Sequence, residues 1–219
     1  MSEIVVHTVP GSPFGRAALI ALEEKGARYR VVPVPPGGLK AEPHLARHPF
    51  GRVPVLEHGA FSLYETQAIV RYVDRVLPGP ALTPADPQAA ARMDQVMNVN
   101  DWYLFQGVNN VITFQRIVLP RLLGGTPDEA AVAAAMPKAH QVLAELSRLL
   151  GREQFLAGST FSLADVMVGA QLDGLSTVPE WAPLAAANPN MQPWLERVTA
   201  RPSFAATTWE RVAAMAQAA

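Results

Sequence analysis

The 219-residue sequence predicts an α/β domain followed by an all-α domain, and three observations carry that expectation. Two β-branched runs, Ile4-Val5-Val6-His7-Thr8-Val9 and Tyr29-Arg30-Val31-Val32-Pro33-Val34, flank a helical stretch in the order of a β-α-β unit. Two short apolar segments on either side of a His58-Gly59 turn then lead into a helix at Glu65-Thr66. After the prolines at 78, 80, 84 and 87 the composition shifts to alanine-rich helix with no further good strand candidate. These signals place the α/β domain at residues 1–78, a linker at 79–87 and an all-helical domain at 88–219.

In the first helix, Phe14, Ala17, Ala18, Ala21 and Leu22 keep one face between Pro13 and Lys25. Ser12 stands at the N-cap, Pro13 at the first helical position and Gly26 at the stop, each favoured there. Arg16, one turn beyond Ser12, is expected in a structural ion pair. Pro35-Pro36-Gly37-Gly38 admits only a loop. Pro54 then falls where a strand should begin, and without an N–H it is confined to an edge or a special turn. With a cis Val53-Pro54 bond, the N–H and C=O of Val53 would face outward, open to an extended peptide-like ligand. Glu65 and Thr66 begin a helix whose free N–H groups attract a carboxylate. A backbone clamp beside such a helix end suits a short peptide with a free carboxylate.

Composition narrows the classes. A net charge of −1 gives no electrostatic case for nucleic acid or an anionic membrane. No apolar run reaches membrane-spanning length, and the first residues read as a strand rather than a signal peptide, so a cytoplasmic protein is expected. Cysteine is absent, which removes disulfides, thiolate metal sites and any protein thiol nucleophile. The five histidines show no metal-ligand spacing; His44 and His48 are four apart, but Pro49 follows at once and no third ligand is evident, so no metal is expected. No GxGxxG, P-loop, HExxH or GxSxG pattern occurs.

The run Leu45-Ala46-Arg47-His48-Pro49-Phe50-Gly51-Arg52-Val53-Pro54, with Tyr64-Glu65-Thr66-Gln67-Ala68-Ile69 and Arg71-Tyr72, resembles the thioredoxin-like domain of glutathione transferases. The likeness is closest to the serine-type, phi-like class and its bacterial relatives; it is densest over residues 1 to 80. It implies a thioredoxin-like first domain, a helical-bundle second domain, glutathione as co-substrate, no metal, and a homodimer. By the same resemblance Ser12 donates a hydrogen bond to the glutathione sulfur, beside its capping role. Lys40, Arg52, Val53, Pro54, Glu65 and Thr66 hold the peptide. Two positions depart from the pattern: Leu39 stands where a histidine pairs with the lysine, and Arg52 stands for the usual glutamine. Phe14, Tyr103, Phe105, Phe114 and Trp209 are candidates for the pocket of an apolar electrophile.

The helical remainder is expected as a long helix from Gln88 to Leu119, with Trp102, Tyr103, Phe105, Val111, Ile112 and Phe114 forming an apolar heart. A helix capped by Thr126 with Glu129, Pro127 first, follows to Leu150, kinked or broken at Pro137. Ser162-Leu163-Ala164-Asp165 is a capping box, so Asp165 reads as structural rather than catalytic. Helices at Met191–Ala200 and Phe204–Ala216 complete the chain's pattern. The leading expectation is an enzyme that conjugates the glutathione thiolate to an apolar electrophile. The open alternatives are a glutathione-dependent peroxidase, dehalogenase or isomerase on the same site, and a non-catalytic glutathione or small-molecule binding protein.

Overall fold

A computed structural model describes residues 2–35 and 37–217; Pro36, in the loop expected at Pro35-Pro36-Gly37-Gly38, lies outside them. Contacts divide the chain into two compact units, one of Met1–Ala81 with Arg201–Ala219 and the other of Leu82–Ala200.

The first unit is built on β1 (Ile4–Thr8), α1 (Pro13–Glu24), β2 (Arg30–Pro33), a short α2 (His44–Arg47), β3 (Val55–His58), β4 (Phe61–Tyr64) and α3 (Thr66–Val76). The sheet order is β2-β1-β3-β4. β1 and β2 run parallel across the α1 crossover, with Val6 opposite Val31, as β-α-β geometry requires. β3 lies antiparallel to β1, with Val55 opposite His7, and β4 antiparallel to β3, with Val55 opposite Tyr64. The core is apolar on both sides of the sheet's centre: Val6, Leu19, Ile20, Leu22, Leu56, Ile69 and Val70 are fully buried. α1 starts as expected, the Ser12 Oγ accepting from the Gly15 N–H at 3.1 Å. Its end is tied to α3 by the buried Lys25 ammonium, 3.0 Å from Asp74 and 2.8 Å from the Pro80 carbonyl.

The segment from Arg201 onward joins this unit, whereas the sequence reading placed it in the helical domain. It forms two helices, α10 (Pro202–Ala206) and α11 (Trp209–Gln217), rather than one from Phe204 to Ala216. Thr207 leaves the helical conformation, and its hydroxyl bonds back to the Ser203 carbonyl at 2.8 Å, a local bond that competes with helix continuation. The anchor of α10 is the buried Glu24 carboxylate, which accepts from Arg201 at 2.8 and 2.6 Å and from the Ser203 hydroxyl at 2.6 Å. The Arg16 Nη2 donates to the Phe204 carbonyl at 3.2 Å, tying α1 to α10.

The second unit contains α4 (Pro87–Val99), α5 (Leu119–Leu123), α6 (Glu129–Leu150), α7 (Leu163–Leu175), α8 (Trp181–Ala187) and α9 (Met191–Thr199). The long helix expected over 88–119 is interrupted. After α4 the backbone takes wide π-helical turns over Asn100–Asn109, broken at Gln106 and at Gly107, whose φ is +85°. Trp102 and Tyr103 are 63% and 55% exposed and stand outside the core; Ile112 is buried as expected, and Leu104 and Val108 join it. α6 is capped by Asp128, whose Oδ1 accepts from the Ala131 N–H at 3.0 Å, in place of the expected Thr126, and it runs unbroken through Pro137.

The expected capping box of α7 is present. The fully buried Asp165 accepts from the Ser162 N–H and hydroxyl, the Leu156 N–H and the Trp194 indole N–H, all at 2.9 Å. Four donors converge on one carboxyl, so Asp165 joins three segments of this unit and has no capacity left for catalysis.

Burial alone would raise the Glu24 carboxyl, but its bonds to Arg201 and Ser203 outweigh burial and hold it below the usual carboxylate range. A depressed folded pKa stabilises above the unfolded value of about 4.3 and is lost as pH falls through the folded value. Glu24→Gln is therefore expected to cost about 2 kcal/mol at pH 7. Urea titrations from pH 7 to 3 should show the gap from wild type closing below about pH 4.

Candidate active site

The C-terminal end of β1, the start of β3 and the start of α3 meet at one end of the sheet. Register explains why. Continuing the β3–β4 pairing two residues beyond Val55 and Tyr64 sets Val53 opposite Thr66. Continuing β1 against β3 sets Val9 opposite Val53, and Val9 accepts from the Ser12 N–H at 3.1 Å. Ser12, Val53, Glu65 and Thr66 are thus gathered by three strands and two helix starts.

Ser12 caps α1 through an acceptor lone pair, and its hydroxyl proton has no acceptor among the described residues. Capping and donation to an outside atom are compatible in one hydroxyl. The Val53–Pro54 bond is cis, and Val53 lies outside the ladder, its N–H and C=O without a partner among the described residues. Thr66 is the first residue of α3 and is buried, while Glu65 precedes it at φ +70°, ψ 115°. Among the described residues Glu65 is the one non-glycine at positive φ. Such a backbone costs about 1–3 kcal/mol. The carboxylate makes no capping bond, is exposed and forms no hydrogen bond or salt bridge among the described residues. Helix-dipole preference alone gives no reason for a strained cap that caps nothing.

Lys40 and Arg52 flank the adjoining loop. The Lys40 ammonium donates to the Phe50 carbonyl at 2.8 Å, and the exposed Arg52 guanidinium has no partner among the described residues. Gly51, at φ +58°, lies so close to the Leu39 carbonyl that a Cβ would overlap it. Leu39 thus contributes its backbone to the loop where the resemblance expects a histidine side chain.

Two site residues escaped the sequence reading. The buried His44 ring places Nε2 2.8 Å from the Arg52 carbonyl. A carbonyl only accepts, so that nitrogen carries the proton and holds the Arg52–Val53 peptide in place. His48, 2% exposed, lies with its ring 4.7 Å from that of Tyr64, the residue directly before Glu65, and tilted 34° to it. Burial lowers its pKa, with the Glu65 carboxylate acting in the opposite direction. The four-residue spacing of the two rings was visible in the sequence, but it served only to argue against a metal.

The aromatic candidates are distributed. Phe14 is half-buried in the first turn of α1, and Trp209 packs its ring on Gly11. In the second unit Tyr103 is exposed and Phe105 and Phe114 are half-buried. Among the described residues no helix is long and apolar enough to cross a membrane. No three His, Asp or Glu side chains among them are grouped to hold a metal ion.

Comparison with known proteins fits this arrangement. The family model for the glutathione S-transferase N-terminal domain matches residues 6–81, and that for the C-terminal domain matches residues 129–197. A probable glutathione S-transferase GSTF2 of Oryza sativa subsp. japonica is 35% identical over 83% of this chain and 85% of its own length. The solved structure of glutathione S-transferase III in apo form superposes with a TM-score of 0.83 at 34% identity, covering 98% of this chain and 97% of that one. Glutathione S-transferase-I bound with the ligand lactoylglutathione gives 0.82 at 30% identity, over 98% and 100%. The chain belongs to the glutathione S-transferase family. Its reaction is conjugation of glutathione to an electrophile, and its plant relatives are of the phi class, as the motifs suggested.

Glu65→Gly separates strain from function. Removing the side chain is expected to raise stability by about 1 kcal/mol in urea unfolding. The same change should weaken glutathione binding at least about tenfold by calorimetry, the loss of one charged hydrogen bond.

Proposed function

We propose that Ser12 stabilises the glutathione thiolate and that Lys40, Arg52, Val53, Pro54, Glu65 and Thr66 hold the tripeptide in one direction. The cation of glutathione is its α-ammonium, and Glu65 is the unpaired anion at this end of the sheet. The γ-glutamyl end therefore lies at α3, where the Thr66 hydroxyl and the free N–H groups take the neighbouring carboxylate. Val53 pairs with the cysteinyl backbone as an added strand would. Lys40 and Arg52 leave two cations for the glycyl carboxylate, which compensates for Leu39. The unpaired Glu65 on its strained backbone, beside an open Val53, carries this reading.

This orientation puts the cysteinyl sulfur against the start of α1. A free thiol with a pKa of about 8.5 is mostly protonated at neutral pH; a hydroxyl donor and a helix N-terminus both favour its thiolate. The thiolate attacks an electrophilic carbon, the carbon–sulfur bond forms and the leaving group departs with the bonding electrons. The thiol proton leaves through water or through glutathione itself. The protein contributes orientation and preorganised dipoles. Exposed aromatic surface at Tyr103, with Phe105 and Phe114, suits the apolar electrophile on the second unit. Phe50, 61% exposed on the Lys40–Arg52 loop, supports assembly as a two-fold dimer, and the family resemblance supports a cytoplasmic location.

Two substitutions distinguish a cap from a thiolate donor. Ser12→Ala is expected to bind glutathione and lose about 10- to 100-fold in kcat toward an aryl halide, with about 1 kcal/mol of stability from the missing cap. Ser12→Asp keeps a good cap and should retain stability, yet its charge opposes the thiolate and turnover should fall at least as far. Full turnover in the alanine variant would reduce Ser12 to a helix cap.

A further inference from the structure

The segment from Arg201 to Gln217 touches α1 at both ends and then reaches the loop that carries Ser12. At the C-terminal end of α1, Glu24 receives Arg201 and Ser203. At its N-terminal end, Arg16 donates to the Phe204 carbonyl and its guanidinium stands 5.5 Å from the centre of the Phe204 ring. Phe204 is itself 1% exposed, so this contact is buried. One turn later α11 begins at Trp209, and its six-membered ring lies against Gly11, the neighbour of Ser12.

The contact at Gly11 is close. The residue sits at φ +83°, and a Cβ added to it would fall inside the Trp209 ring. The indole fills the volume that any other side chain at position 11 would occupy. Gly11 is also the most torsionally permissive residue between β1 and α1. The loop's own restraints include the Ser12 N–H bond to Val9, the Gly15 N–H bond to the Ser12 hydroxyl and the Arg16 N–H bond to the Ser12 carbonyl. All three act on Ser12, and none of them bonds Gly11 itself, the residue that Trp209 covers.

We infer that Trp209 is a positioning residue for the reaction: packed on Gly11, it holds the Ser12 hydroxyl in line with the glutathione sulfur. Helices α10 and α11 act as a brace from Glu24 to Gly11. Trp209 acts through the loop and not on the sulfur. The inference rests on Ser12 as thiolate donor, and it adds a distant origin for the precision of that contact. Displacing a reacting group by about 1 Å costs on the order of 100-fold in rate, so loosening by a fraction of that distance is measurable.

The test compares Trp209→Ala, Trp209→Phe, Gly11→Ala and Ser12→Ala, varying glutathione and an aryl halide in turn with the other held at saturation. The readouts are kcat, both KM values, the pH profile of kcat/KM and the ultraviolet thiolate band of the enzyme–glutathione complex. Trp209→Ala is expected to lower kcat about tenfold and to move the acid limb of the profile upward by about half a pH unit. Its thiolate band at neutral pH should weaken, while the KM for glutathione stays within about twofold because the clamp residues are untouched. Gly11→Ala, which disturbs the same contact from the other side, should shift the limb in the same direction. Trp209→Phe keeps an aromatic face on Gly11 and should recover most of the loss. Trp209→Leu replaces the alanine variant if the latter does not fold. An unmoved acid limb and thiolate band in Trp209→Ala, or a change confined to the electrophile KM, overturns the inference. If Ser12→Ala itself leaves the limb in place, the serine reading fails; if Ser12→Ala moves it and Trp209→Ala does not, only the brace fails.

Discussion

The pairing of Val55 with Tyr64, and of Val55 with His7 on its other side, is the constraint on which the site depends. Side chains alternate along a strand, so a one-residue slip would turn Val55 and Leu56, both fully buried, out of step with the core. The register is therefore fixed by burial, and the chain beyond it inherits that precision. Pro54 cannot donate to a ladder, so pairing stops there, and Val53 keeps its backbone groups unspent. On the facing strand the chain must turn at once from Tyr64 into α3, and Glu65 absorbs the turn in a conformation that most side chains avoid. Burial of Ile69, Val70 and Val73 on α3 holds that conformation in place.

Charge is distributed along the clamp rather than concentrated in it. An anion at Glu65 and a helix start at Thr66 lie at one end, with the cations Lys40 and Arg52 at the other. On the proposed reading, a zwitterionic tripeptide across this pattern sets its ammonium at Glu65 and its glycyl carboxylate at Lys40 and Arg52. The chemistry then asks little of protein acids and bases. Asp165, the most deeply buried carboxyl of the second unit, is used up by four donors, and the Glu24 carboxylate is used up by Arg201 and Ser203. The buried acidic groups hold the framework, and Glu65, exposed at the start of α3, is not spent on it.

The parts legible in the sequence were those set by local chemistry. Ser12-Pro13 announced the start of α1, Ser162 with Asp165 announced α7, Val53-Pro54 announced the cis bond before β3, and Glu65-Thr66 announced the start of α3. The misjudged elements were decided by neighbours or by competing local choices. Asp128 took the cap from Thr126 two residues away, both being good caps. The wide turns and the break at Gly107 fall in Asn100–Asn109, where an apolar pattern read as helix is carried mostly by weak helix formers. Trp102 and Tyr103 look like core by type and are exposed by placement. His44 had no signal of its own, because its bond is to a backbone carbonyl eight residues away. The destination of α10 and α11 rests on Glu24, 177 residues before Arg201, a separation that no periodicity reports.

That separation has an outcome during synthesis. The first eighty-one residues of the thioredoxin-like unit leave the ribosome long before its remaining piece, which begins at Arg201. The whole of Leu82–Ala200 is translated in between and is free to fold first, since domains generally form as they emerge. A nascent chain at that stage has its sheet, its capped α1 and its clamp sequence, but Glu24 still lacks Arg201 and Gly11 still lacks its indole. The half made earliest is the half completed latest, and a chain released before Arg201 would carry every helix of the second unit and an unfinished first one.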